Sequence, residues 1–272
     1  MAELTTADAS KQNIISMRIV ENAYGGPMPF SSLKELYDRF RISNYHILLG
    51  DGQEGCGIEP GIGTFYRSFS ARSLNIGGGS DECHWRWLPA AIVPGARFPE
   101  VAYLGESYMG LDLFGKITIR LPPGACSLRW VLKFETDLSR YYGRCGNAYP
   151  WFFPIVFLFT DGRAIQSSDF NVRQELGKTR IGNEYNNRLQ WKEDGWMEYM
   201  AGVFTVEEQL GTSRETHLKF EMKEKYVQRK SGLFVDGVVI RQQHNVEDLS
   251  LSEDSEPEVT QFLVEYFRRR TI

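Results

Sequence analysis

The amino-acid sequence predicts a mostly β fold, a β-sandwich with one short helix before it and one after it. After residue 63, apolar runs of strand length recur between glycines, prolines and Asp-Gly pairs, as they do in all-β sandwiches. Several of these runs alternate apolar and polar residues, which is typical of a strand with one buried face. The 272 residues are 42% hydrophobic, so the chain can bury a sizeable core.

A polar segment, residues 1–29, opens the chain and is expected to be flexible, because it ends in a stretch rich in glycine and proline. A helix and linker are expected over residues 30–63, since Ser32 and Glu35 have the spacing of a capping box. Four apolar residues follow at helical spacing: Leu33, Leu36, Tyr37 and Phe40. One short amphipathic helix is therefore predicted here.

The sandwich is assigned to residues 64–242, and we expect about eight strands in it. The clearest strands are six runs that begin at Phe114, Ser127, Phe152, Trp196, Thr216 and Ser231. Alternation in three of these runs places ten residues inward: Ile117, Ile119, Leu121, Leu128, Trp130, Leu132, Phe134, Leu218, Phe220 and Met222. The run from Phe152 is apolar throughout, which predicts a strand covered on both faces. A long polar stretch between Asp161 and Gly195 shows no period and is predicted to be a loop.

Residues 243–272 are predicted to form an acidic linker and an amphipathic helix. Residues 247–258 hold six acids and no base, a composition that disfavours packing. The apolar residues that follow share one helical face: Val259, Phe262, Leu263, Tyr266 and Phe267. Two interpretations stay open, a helix that docks on the sandwich and a helix that binds a partner or a membrane surface.

Charge and composition narrow the classes of partner. The net charge is −4 and the basic residues are scattered, so nucleic-acid binding is not expected. No apolar run approaches the roughly 20 residues that span a bilayer. The first residues lack the features of a signal peptide, so we expect an intracellular protein. The four cysteines form no C-x-x-C pair and are expected to be free and mostly buried thiols: Cys56, Cys83, Cys126 and Cys145.

Enzymatic activity is not expected, because the sequence offers neither a nucleophile with a base nor two carboxylates with recognisable catalytic spacing. The four histidines have no histidine three or four residues away, which excludes a helical zinc motif: His46, His84, His217 and His244. The glycines at 77–79 lack a following Gly-Lys-Ser and are interpreted as a turn. No metal or cofactor is predicted.

The candidate binding chemistry is aromatic. Trp85 and Trp87 are two residues apart and share a face if they lie on a strand. Sugar rings have C–H-rich faces that stack on indole rings, and nearby polar side chains can orient the hydroxyl groups. The candidate carbohydrate-binding residues are therefore Trp85, Asp81, His84 and Arg86. Sugar stacking requires the Trp85 indole to face solvent, with burial in the core as the alternative; Trp87 is assigned to the core.

Six segments, read in order, resemble the phloem-protein-two or Nictaba-like lectin family of plants. They are residues 70–76, 83–89, 97–104, 115–134, 193–204 and 229–241. The most specific pieces are residues 194–198, followed by Gly202 and Phe204, and residues 230–233, followed by Gly237, Ile240 and Arg241. Within the first piece, Trp196 is assigned to packing and Glu198 is expected to be its solvent-facing neighbour.

This resemblance implies a jelly-roll-like sandwich, a location in the cytoplasm and nucleus, and binding of N-acetylglucosamine oligomers or N-glycan cores. The family's sugar binding is attributed to two tryptophans, of which one matches Trp85 and the other falls at Gly78. Losing one stacking ring would weaken affinity about tenfold. Many relatives carry an F-box ahead of this domain; the segment before residue 30 has too few apolar positions for one, so we expect no adaptor binding there.

The leading hypothesis is a non-enzymatic carbohydrate-binding protein that recognises glycans or glycoproteins, in stress or defence. The alternative is a protein-interaction module that keeps the sandwich and engages a partner through the C-terminal helix. Self-association is left open by the sequence.

Overall fold

The computed structural model describes residues 46–49, 51–58, 65–77, 84–105, 111–121, 124–135, 155–172, 188–207, 215–224 and 231–243. The two predicted helices, around residues 32–40 and 259–270, lie outside these ranges. The chain divides into two compact units. One comprises residues 1–67 and 242–272, and the other comprises residues 68–241.

The described part of the first unit is built around an antiparallel hairpin. Its strands are β1 (His46–Leu49) and β2 (Glu54–Ile58), paired so that His46 lies opposite Gly57. Arg67 forms an ion pair with Glu54 at 2.6 Å, and the rings of His46 and Tyr66 stack with centroids 6.0 Å apart.

The second unit consists of two antiparallel sheets. Twelve strands are described from Phe65 onward: β3 (Phe65–Ser70), β4 (Asn75–Ile76), β5 (Trp85–Pro89), β6 (Glu100–Leu104), β7 (Asp112–Arg120), β8 (Gly124–Phe134), β9 (Ile155–Thr160), β10 (Ile165–Phe170), β11 (Leu189–Trp191), β12 (Trp196–Val206), β13 (Glu215–Glu224) and β14 (Leu233–Gln242). Short 3-10 turns occur at Ala71–Ser73, Ala90–Ile92 and Glu193–Gly195.

Strand order defines the two sheets. In the first sheet the order runs β3, β14, β8, β12, β11, with β6 pairing β14 and β5 pairing β6. In the second sheet it runs β10, β9, β13, β7, β4. The mostly β fold predicted from the sequence is therefore confirmed.

The core lies between the two sheets and is rich in aromatic rings. Trp130 of β8 is fully buried and contacts Phe157 of β9 and Phe220 of β13, with ring centroids 6.2 and 5.6 Å apart. Tyr199 of β12 stacks on Phe157 at 4.4 Å. Aromatic packing of this kind adds to the stabilisation that comes from burying the ring area.

Alternation predicted the inward faces of β7, β8 and β13. All ten residues named from the sequence are buried, from Trp130 at 0% exposure to Ile117 at 9%. The described cysteines, Cys56 and Cys126, are free and buried as expected, and burial raises the pKa of both thiols to about 12. Cys83 and Cys145 lie outside the described residues.

Two predictions about the strands are wrong. The polar stretch after Asp161 contains β10 and β11 rather than only a loop. Strand β10 lies at the edge of the second sheet, where an alternating strand needs few apolar residues, so its sequence resembles a loop. Strand β9 is not fully covered on both faces, since Val156 and Leu158 are only half-buried.

Beyond Met200, the backbone edge of β12 forms hydrogen bonds with a side chain of the second sheet, that of Gln166 in β10. Among the described strands, β11 pairs β12 only at residues 197–199. Further along, the Gln166 amide accepts a hydrogen bond from the Val203 N–H at 3.0 Å and donates one to the Val203 carbonyl. Gln166 therefore satisfies both backbone groups that a neighbouring strand would use.

None of the helices in the described part of the chain has the length and apolarity that a bilayer crossing requires.

Candidate functional site

Trp85 points into the core and not toward solvent. It lies opposite Leu104 in the pairing of β5 with β6, and its side chain is 4% exposed within the main hydrophobic cluster. Leu104 is buried on the same face, at 1% exposure. Of the two alternatives left open for Trp85, the structure shows burial in the core and not a solvent-facing indole, because β5 is a strand whose alternation directs this ring between the sheets.

Trp87 lies on the same face of β5 and is half-buried at the margin of the core. The guanidinium of Arg72 is 3.7 Å from the centroid of its ring, a cation–π contact. Glu100 holds Arg72 in place through two hydrogen bonds of 3.0 and 3.1 Å. Since this cation covers a face of the indole, Trp87 is not an open stacking platform.

The opposite face of β5 carries a different arrangement. Arg86 is exposed and lies directly opposite Tyr103 of β6, which lies directly opposite Phe234 of β14. The Tyr103 and Phe234 rings are half-buried with centroids 4.6 Å apart, and the Tyr103 hydroxyl donates to Glu135 at 3.2 Å. We call Arg86, Tyr103, Phe234 and Glu135 the outer-face strip.

The candidate residues of the first tryptophan block thus separate in space. Arg86 belongs to the outer-face strip, and the half-buried His84 lies next to it, where its carbonyl accepts a hydrogen bond from the Gly105 N–H at 3.0 Å. Trp85 is on the other face of the sheet, and Asp81 lies outside the described residues. A local sequence pattern could place these residues on a strand but could not show which faces they occupy.

Sequence reasoning missed Tyr103, Phe234 and Glu135. A signal for the two rings was present, because each stands between two apolar residues, Phe234 in a predicted strand and Tyr103 in a segment that resembles the family. The pairing of β6 with β14, which joins segments about 130 positions apart, is a long-range contact that local pattern cannot supply.

A second cluster surrounds Glu198, which is fully buried rather than solvent-facing as predicted. Arg241 donates two hydrogen bonds to its carboxylate, at 2.9 and 2.6 Å, and Arg97 donates one at 2.6 Å. The Lys192 ammonium is 4.0 Å away. Burial opposes ionisation of this carboxyl, but the neighbouring cations outweigh it and hold the pKa of Glu198 well below its usual range.

The same region fastens the loop of residues 94–98 to the first sheet. The buried Asp236 carboxylate of β14 accepts hydrogen bonds from the Arg97 N–H at 3.0 Å and the Phe98 N–H at 3.4 Å. The Trp196 indole donates to the Pro94 carbonyl at 2.9 Å. We call these contacts, with the Glu198 ion pairs, the loop clasp.

The loop clasp has a structural role, which is to hold the loop of residues 94–98 in place. A carboxylate that stays ionised, is fully buried and is bound by two guanidinium groups is not placed to donate a proton to a substrate. Its energetic role is different, because breaking a buried ion pair leaves an uncompensated charge. Trp196, at 2% exposure, is packed as predicted.

Within the residues that the structure describes, no group of three or more histidine, cysteine, aspartate or glutamate side chains is arranged to hold a metal ion.

Fold and site together define an antiparallel two-sheet protein whose signature residues build a buried ionic clasp. The family model for phloem protein 2 matches residues 66–242. The chain therefore belongs to the phloem protein 2 family, as the sequence resemblance predicted.

Relatives in Arabidopsis thaliana support this assignment. The chain is 27% identical to F-box protein PP2-B10 over 243 residues, covering 85% of this chain and 80% of that protein. It is 27% identical to F-box protein SKIP3 over 225 residues, covering 82% and 71%. It is 28% identical to the putative F-box protein PP2-B8 over 255 residues, covering 87% and 77%.

Similarity to solved structures is weaker. The structure of TmCBM61 in complex with β-1,4-galactotriose aligns with 64% of this chain and 91% of its own, at 10% identity and a TM-score of 0.33.

Proposed function

We propose that this chain is a lectin-like carbohydrate-binding protein without enzymatic activity. We propose further that it recognises N-acetylglucosamine-containing glycans or N-glycan cores in the cytoplasm and nucleus, in stress or defence. The observation that carries this proposal is the family match over residues 66–242, since this family is lectin-like in general.

We also propose the finer jelly-roll assignment for the sandwich. Successive strands change sheets repeatedly: β7 lies in the second sheet, β8 in the first, β9 and β10 in the second, and β11 and β12 in the first. Strand β13 then lies in the second sheet and β14 in the first. Repeated crossing between two antiparallel sheets is typical of double-sheet jelly rolls, which include lectin domains.

The test is a glycan array on the purified full chain, followed by retention on immobilised N-acetylglucosamine oligomers and N-glycan cores. We expect selective retention of the protein, and we expect soluble oligomers incubated with it to keep their length, because a binding protein leaves the glycosidic bonds intact. Shortened oligomers would contradict the non-enzymatic part of the proposal. A chain that retains no glycan on either format would overturn the lectin part.

The alternative, a protein-interaction module, is favoured by one observation. Trp85, the ring that matches a family stacking tryptophan, is buried, so the family's usual platform is absent at this position. This alternative would be established by two results together. Glycans would not retain the full chain, and a protein partner that binds the full chain would no longer bind after deletion of residues 247–272. Retention of glycans by the same truncated chain would argue against it.

A further inference from the structure

We infer that the sugar binds the outer-face strip and not the tryptophans of β5. In this arrangement the C–H face of one pyranose ring stacks on Phe234 and Tyr103, while Arg86 and Glu135 bond its polar substituents. This inference rests on the proposed carbohydrate-binding function and names the surface that performs it.

The strand registers place the strip on the outside of the first sheet. Tyr103 lies between Ala102 and Leu104, and those two residues are at most 1% exposed. Phe234 lies between Leu233 and Val235, which are fully buried. Because side chains alternate along a strand, the two half-buried rings must face away from the core.

The end of the sheet that carries the strip is held by backbone hydrogen bonds across four strands. The Gly105 N–H donates to the His84 carbonyl at 3.0 Å, the Gly232 N–H to the Leu104 carbonyl at 2.8 Å, and the Glu135 N–H to the Gly232 carbonyl at 2.8 Å. Asp236, which anchors the loop clasp, is two residues beyond Phe234 on the same strand. The strip is therefore largely pre-formed, as ligand sites usually are.

The chemistry of the strip selects a neutral, amphipathic ligand. Two adjacent rings offer an apolar surface, Arg86 supplies hydrogen-bond donors, and Glu135 supplies acceptors. Donors and acceptors on either side of a ring surface match the hydroxyl and acetamido groups around a sugar's C–H face. A phosphate or other anion would gain from Arg86 but would be repelled by Glu135, so the observations favour a saccharide over a nucleic acid or phosphopeptide.

The strip is tested by substitution in the full chain, with chitotriose and the N-glycan core pentasaccharide as probes. We expect Phe234→Leu to weaken binding about tenfold, because it removes a stacking ring while keeping an apolar strand residue. Arg86→Gln, at an exposed position, should also weaken binding without lowering the melting temperature. Phe114→Leu is the matched control, since Phe114 is 39% exposed on a strand of the second sheet.

The outcomes separate the strip from the proposed function. Loss of affinity in Phe234→Leu and Arg86→Gln, with Phe114→Leu unchanged, supports the strip. Full affinity in both strip variants overturns the strip while leaving the carbohydrate-binding function intact. Absence of binding by the unsubstituted chain overturns both. Should Phe234→Leu fold poorly, the exposed Arg86→Gln variant decides the matter.

Discussion

At the scale of single residues, the loop clasp shows how a signature can serve folding. Glu198 gathers Arg97 and Arg241 around one buried carboxylate, and Asp236 binds the backbone of the loop beside it. Such groups contribute geometric precision more than net stability, since desolvating each charge offsets much of what the ion pair gains. What the clasp provides is a single position for the loop of residues 94–98.

Asp236 should make stability depend on pH. Burial raises the pKa of this carboxyl from 3.8 to about 6, although hydrogen bonds from Arg97 and Phe98 oppose the rise. Between these two values the unfolded chain has released the proton while the native chain still holds it. Stability contributed by the protonated group is therefore complete below pH 3.8 and is lost as the pH rises through about 6.

The comparison with Asp236→Asn, which stays neutral, isolates this effect. The free energy of unfolding of the natural chain, relative to the variant, should fall by about 2–3 kcal/mol between pH 4 and pH 7 in urea titrations. Asp112→Asn, at an exposed position, controls for loss of one acid. A constant difference between the natural chain and Asp236→Asn across this range would show that Asp236 is ionised throughout.

At the scale of elements, the sequence predicted those strands in which one face is apolar and the other is polar. Leu218, Phe220 and Met222 alternate with polar neighbours, and β13 was therefore predicted with the correct inward face. Strand β10 could not be predicted in this way, because most of its residues are polar, its one aliphatic residue, Ile165, is exposed, and only Phe170 is buried. The outer-face strip was missed for a related reason, since it is created by register between distant strands.

Gly237 marks a position in β14 where the backbone admits only glycine. Its φ is +146°, and a Cβ atom there would lie 1.9 Å from the Phe69 carbonyl oxygen of β3. We expect Gly237→Ala to destabilise the chain by at least about 2–3 kcal/mol, from backbone strain together with the clash. Chemical denaturation measures the change.

The matched control for this prediction is Gly162→Ala. Gly162 also has positive φ, at +92°, but a Cβ atom at that position would have no neighbouring atom within 4 Å. The Gly162→Ala variant should therefore lose only the free energy of unfolding that backbone strain costs, about 1 kcal/mol. Equal losses in the two variants would mean that β14 shifts away from β3 at little cost.

At the scale of the whole molecule, the edge of β12 around Val203, which pairs with no further strand among the described residues, bears on association between copies. An unpaired strand edge is a template for another chain, and natural proteins block such edges. Here the block is the Gln166 side chain, which occupies the Val203 N–H and carbonyl. Arg163 adds a weaker contact to the Thr205 carbonyl at 3.5 Å.

Gln166→Ala should therefore promote self-association. Removing the amide leaves the Val203 backbone groups available for pairing, and Val203 itself is 42% exposed. Light scattering over a range of protein concentrations should show a larger average mass for the variant than for the natural chain. Ser167→Ala, at the next exposed position of β10, is the control. Equal masses for all three chains would indicate that the edge is protected by other means.

The burial of Trp85 has a consequence for how such chains are compared. In this molecule the Trp85 indole packs between the two sheets, while the side chain of its neighbour Arg86 is exposed to solvent. In this chain Trp85 is thus part of the core, and its presence in the sequence does not by itself indicate a sugar-stacking surface. For this chain, the search for a ligand-facing surface therefore moves to Arg86, on the opposite face of β5.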